Sequence, residues 1–159
     1  MLSASPAVAL GRAEIAARIP HTDDMCLLDG VESWDDENIV CTTRTHLDGN
    51  NPLREAGRLG AACGVEYAAQ AMAIHGALRA GLADDSRPRA GFLASMRDVQ
   101  LHVARLDDIA EALRIEANRL SGDGQTVLYG FSLRSSENVL LTGRAAVVLD
   151  ADKLQEKSA

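Results

Sequence analysis

Aromatic residues are scarce in this chain: one Trp, two Tyr and two Phe, 3% of 159 residues. Large rings dominate the buried area of most cores, so aliphatic side chains and alanine must fill this one. Basic charge is short as well. The chain has 16 Lys and Arg against 23 Asp and Glu, a formal net charge of −7. That argues against a general nucleic-acid binder, which carries a basic excess. Cysteine is limited to Cys26, Cys41 and Cys63, with no CxxC pair. These read as small buried hydrophobes in a reducing compartment, not as a disulfide or zinc framework. The histidines His21, His46, His75 and His102 show no ligand spacing, so no metal is expected. Met1 to Leu10 lacks a basic region followed by a continuous apolar block, and no signal peptide is expected. No stretch is long and apolar enough to suggest a membrane span. The expectation is a cytoplasmic protein without a membrane partner.

What is present is ordinary for a globular protein, with 47% hydrophobic and 25% charged residues. The length suggests one domain over residues 1–159, with a core from about Glu14 to Asp150. The stretch Gly60 to Arg79 dominates the pattern. It is rich in alanine, methionine and leucine, has no proline, and reads as one long helix over about 60–80. It is apolar almost all round, which predicts burial. Glu66 and Gln70 lie four residues apart and therefore on one side of it. A carboxylate on a buried helix is costly unless it is paired, protonated or facing a cavity. The ordinary alternatives for Glu66 are a satisfied core acid, or one open to solvent at the helix end.

The remaining elements follow from periodicity. Gly11 to Arg18 predicts two turns of helix before Pro20. Met25 to Val31 and Asn38 to Thr45 predict two strands paired as a hairpin around the acidic turn at Trp34–Asn38. His46 to Leu59 carries turn chemistry. From Gly91 the period changes to two, with strands expected over Gly91–Val103, Ala112–Leu120, Thr126–Arg134 and Val139–Asp150. In the first of these, alternation puts Leu93, Ser95, Arg97, Val99, Leu101 and Val103 on one face. The result is an α+β domain: an antiparallel six-stranded sheet wrapped round one long helix. Its open sheet edges invite pairing, so a dimer is expected.

Strand-strand-helix followed by four strands is the order of the hotdog fold. Ile19-Pro20-His21 followed by Met25-Cys-Leu-Leu-Asp-Gly-Val31 resembles the opening of the 3-hydroxyacyl-acyl carrier protein dehydratases. Gly64-Val-Glu-Tyr-Ala-Ala-Gln-Ala-Met72 is similar to their helix, in which an acid precedes a glutamine by four. Asn51-Pro-Leu-Arg54 and Gly91-Phe-Leu-Ala-Ser95 resemble in particular the small dehydratase-like proteins of aryl-polyene gene clusters. The resemblance covers about Glu14 to Leu149.

That resemblance implies dehydration of a 3-hydroxyacyl thioester, carried on acyl carrier protein or coenzyme A, without a cofactor. A histidine removes the C2 proton. A helix acid of the partner subunit assists loss of the C3 hydroxyl, and a backbone N–H at the helix start meets the thioester oxygen. By position Glu66 matches the acid and Ala61 the N–H donor, with Gln70 beside the substrate. The family's His-Phe-Pro-Gly turn falls at Asn51-Pro52-Leu53, which holds no histidine; the nearest is His46. His21, His75 and His102 read as structural. Arg54, Arg58, Arg87 and Arg89 are candidates for the phosphates of the carrier arm, or plain solvated charges. Three readings follow: a dehydratase using Glu66 and His46, a hotdog thioesterase using Glu66 alone, or a subunit that completes the site of a dehydratase homologue. The assembly is a homodimer or a heterodimer accordingly.

Overall fold

The computed structural model describes residues 10–18, 25–82, 91–123 and 125–149. A short strand β1 (Leu10–Gly11) leads into helix α1 (Arg12–Ala16), and β2 (Gly30–Trp34) and β3 (Asn38–Thr43) form a hairpin. A 3₁₀ turn at Thr45–Leu47 opens the long connection to a second one at Ala61–Cys63, which runs directly into α2 (Gly64–Leu82). Strands β4 (Gly91–Leu101), β5 (Leu113–Gly122), β6 (Thr126–Ser135) and β7 (Asn138–Leu149) follow. All pairings are antiparallel, in the order β1-β2-β3-β5-β6-β7-β4. One sheet and one long helix is the hotdog arrangement that the element order predicts.

Among the described residues the sheet has seven strands rather than six. The extra one is Leu10–Gly11, two residues paired with Val31 and Gly30, too short to leave a periodic signal. Met25 to Asp29, expected as strand, forms no strand; β2 starts only at Gly30. Cys26, Leu27 and Leu28 are buried there because that segment packs over the helix. Ile19-Pro20-His21, Arg87 and Arg89 lie outside the described residues.

The predicted alternation holds in the middle of the sheet. Leu113, Ile115 and Ala117 on β5, and Val127, Tyr129, Phe131 and Leu133 on β6, face inward and are buried. They meet Tyr67, Ala68, Ala71, Met72 and Ile74 on the inner side of α2. The alternation fails on β4. Irregularities between Leu93 and Ser95 and between Arg97 and Gln100 shift its register against β7. Each extra residue reverses the side to which the following side chains point. Leu93 and Met96 therefore pack toward the core, while Arg97, expected on the same face as Leu93, stands outward opposite Arg144.

Close approach of helix and sheet depends on Gly64. A Cβ there would lie 2.3 Å from Leu141 Cδ2 and 3.0 Å from Leu133 Cδ2. The opposite holds at Gly76 on the same helix, where a Cβ would meet nothing within 4 Å among the described residues.

Two fully buried histidines tie these layers together. His75 Nε2 lies 2.8 Å from the Asp35 carbonyl, which only accepts, so Nε2 carries the ring proton. Nδ1 then accepts from the Tyr129 hydroxyl at 2.7 Å. His46 Nε2 likewise donates to the Ile109 carbonyl at 2.9 Å. Burial pushes both rings below the ordinary histidine range, against the pull of those carbonyls. The unfolded chain therefore binds more protons than the folded one below about pH 6.5. Stability is expected to be level above that pH and to fall as the pH drops through it, by up to about 1.4 kcal/mol per pH unit for each ring. Urea midpoints measured from pH 8 to pH 5 check this; a flat profile would contradict it.

Candidate active site

The site is built where the 44–61 connection, the start of α2 and the segment after β4 converge. A buried polar network fixes the connection. Tyr67, fully buried on α2, places its hydroxyl 2.9 Å from Asn51 Nδ2 and 3.0 Å from Thr45 Oγ1. Burial raises the Tyr67 pKa, against its hydrogen bonds to Thr45 and Asn51. Asn51 Nδ2 also donates to the Thr45 carbonyl, and Asn51 Oδ1 accepts the Leu53 N–H. Thr45 Oγ1 in turn donates to the Leu27 carbonyl at 2.6 Å. The Asn51 side chain is thus used at both ends, and its neighbour Pro52 is exposed.

The segment after β4 holds the same connection from the other side. Leu106 N–H donates to Leu59 O, and Ala61 N–H to Ala104 O at 3.0 Å. Asp107 pairs with Arg105 and accepts the Leu59 N–H at 2.9 Å, and these two contacts hold its carboxyl well below the usual carboxylate range.

Against this frame the sequence candidates separate. Glu66 is exposed, on the first full turn of α2. Gln70, one turn on, is buried: its Oε1 accepts the Leu27 N–H at 2.9 Å and its Nε2 donates to the Met25 carbonyl at 2.6 Å. The segment at 25–27 covers Gln70, so the glutamine fastens backbone rather than facing a ligand. His46 is fully buried, on the Ile109 carbonyl, with Nδ1 lacking a partner among the described residues. The Ala61 N–H, expected to face the thioester oxygen, is engaged by Ala104 O. The next N–H in the turn, that of Ala62, meets no acceptor among the described residues, and Ala62 is exposed. Arg54 is turned inward, donating to Gly57 O and His46 O at 2.9 and 3.1 Å. Arg58 is exposed. His75 takes the structural place expected of it, whereas the Asn51–Tyr67–Thr45 network was missed; only Asn51 beside a proline hinted at a fixed turn.

A family model described as ApeP dehydratase matches residues 13–157. The chain belongs to the ApeP-like dehydratase family. Among solved structures, the ApeI:P dehydratase heterocomplex from Xenorhabdus doucetiae matches this ApeP-like chain with a TM-score of 0.80 at 23% identity, covering 91% of this chain and 97% of that one. A mutant thioesterase from Pseudomonas aeruginosa matches at TM-score 0.56 and 13% identity, over 75% and 78% of the two chains. A hypothetical thioesterase with coenzyme A from Streptococcus pneumoniae matches at 0.55 and 15%, over 75% and 83%. At these identities the structures show a shared fold. The comparison with curated proteins gives no match. Among the described residues, no group of three His, Cys, Asp or Glu side chains is placed to hold a metal ion, and no helix is long and apolar enough to cross a membrane.

Proposed function

We propose that this chain is the acid-bearing subunit of a 3-hydroxyacyl-thioester dehydratase, completed by a homologous chain that supplies the histidine. One observation carries the reading. Glu66 stands exposed on the first turn of a helix whose Tyr67, Ala68 and Gln70 are buried, while neither candidate base is placed to serve it: His46 is sealed on Ile109 O, and Asn51-Pro52 offers no general base. Membership of a dehydratase family, and a structural neighbour that is itself a dehydratase heterocomplex, support it.

In the completed site the partner histidine takes the C2 proton of the substrate. Glu66 gives a proton to the C3 hydroxyl, which leaves as water, and the product is the 2-enoyl thioester. Negative charge gathers on the thioester oxygen as the C2 proton departs. Backbone N–H groups at a helix start, with the positive end of the helix dipole, stabilise such charge. The Ala62 N–H is the donor free to do so, in place of Ala61. Substrate arrives on acyl carrier protein or coenzyme A, and Arg58 is the described arginine near this end of the helix with its side chain free for a phosphate.

The test is an assay of purified protein, alone and mixed with a homologue that carries the His-Phe-Pro-Gly turn. Enoyl product is expected from the mixture at a rate above that of either chain alone. A lone exposed carboxylate also suits a thioesterase, and release of free thiol by this chain alone would favour that reading instead. Full dehydratase turnover by this chain alone would overturn the assignment of the base to a partner. Replacing His46 by Asn should lower the melting temperature and leave the mixed rate in place at temperatures where the variant is folded.

A further inference from the structure

Strand β4 ends the sheet: one side pairs with β7 and the other has no neighbouring strand among the described residues. Between its two irregularities, Ser95, Met96 and Arg97 keep regular alternation opposite Ala146, Ala145 and Arg144. Ala145 is buried, so Met96 faces the core and Arg97 and Arg144 share the outward face, both exposed. Like charges opposite one another on adjacent strands are unfavourable. Among the described residues no acid pairs with either of them. Arg144 is flanked on β6 by Gly130 and then on β5 by Asn118. In the next row the acid is Glu116, already held between Arg114 and Arg134 at 3.5 and 3.6 Å. Asp98 sits at φ +54 in the β4 irregularity, outside the alternation. Neither Arg97 nor Arg144 has an ion-pair partner among the described residues.

We propose that Arg97 and Arg144 select the partner at this edge: they oppose pairing of two copies of this chain and fit an edge strand that presents a carboxylate on its outward face. The inference rests on the reading that a second chain completes the site. An antiparallel pairing that overlaps the whole of β4 with its own copy puts Met96 on the twofold axis and Arg97 opposite Ser95 of the second copy. The two Arg97 side chains then become diagonal neighbours on one face, about 7–8 Å apart. Each has Arg144 beside it, so four guanidinium groups share one short stretch of surface. A homologous strand with Asp or Glu at the facing position converts this repulsion into an ion pair. Electrostatic matching of this kind sets which chains pair more than how tightly they do so.

The experiment is sedimentation equilibrium of the purified chain at low ionic strength, with circular dichroism confirming the fold of each variant. Arg97→Ser should lower the homodimer Kd by roughly 2–5-fold, because it removes the one like-charged Arg97 pair that meets across the axis. Arg97→Lys keeps the charge and should leave Kd near that of the parent chain. An equimolar mixture of Arg97→Glu with the parent chain should form mixed dimers in excess of the statistical half. The preference should shrink in 1 M salt, where the Debye length is about 3 Å. An unchanged Kd in Arg97→Ser, statistical mixing, or no dimer in any of these samples would overturn the proposal. None of these readouts involves turnover, so such a result leaves the dehydratase reading to its own assay.

Discussion

Replacing Glu66 by Gln is expected to cut enoyl formation by the mixed assembly about 10²–10⁴-fold, the usual worth of a positioned general acid. The amide keeps the size of the side chain and cannot give up a proton to the departing hydroxyl. Because Glu66 is exposed in the single chain and makes no hydrogen bond among the described residues, the substitution removes no internal contact. The variant should therefore fold, pair with its partner and bind thioester as before. The loss should fall on kcat and leave KM nearly unchanged, the pattern of an interaction made only in the transition state. A matching rise in KM, or a lost dimer, would mean that Glu66 serves binding or assembly instead. Retained turnover would remove it from the chemistry.

The second large effect is on stability. Gly64→Val is expected to destabilise the fold by about 2–3 kcal/mol, within the range for overpacking a core. Leu141 and Leu133, both fully buried, stand where the new side chain must go. On a chain of this size that corresponds to a melting temperature lower by roughly 5–10 °C. Gly76→Ala on the same helix should act in the opposite direction, stabilising by about 0.5–1 kcal/mol, because alanine is the better helix former and no described residue lies within 4 Å of the added methyl. Thermal melts of the two variants side by side check both signs. If both glycines respond alike, the close approach at Gly64 is not what requires glycine there.

How much of this was legible beforehand differs from element to element. Strands β5 and β6 showed their inward residues plainly, because both lie inside the sheet with one face on the helix and one in water. Period two is the direct record of that environment. The edge strand β4 misled: two irregularities reverse its facing, and an extra residue in a ladder leaves no mark on composition. The helix was equally plain as a helix, but the pairing of Glu66 with Gln70 on one side of it did not predict their fates. Four residues of separation fixes an angle around the axis. Whether that angle meets solvent or chain depends on where a segment 43 to 45 residues earlier in the sequence crosses the helix.

By itself, then, the sequence determined the element types, the long buried helix, the family and the presence of one acid with no histidine at the expected turn. These are local properties: helix propensity, periodicity and the order of short motifs act within a few residues of one another. Only the tertiary structure decided that Gln70 fastens the Met25–Leu27 backbone, that His46 is sealed on the Ile109 carbonyl, and that the Ala62 N–H, not that of Ala61, meets no acceptor among the described residues. It alone set Arg97 beside Arg144. Each of those depends on which distant group reaches a given donor first, and hydrogen bonds and register between residues far apart in the chain are set by packing, not by pattern.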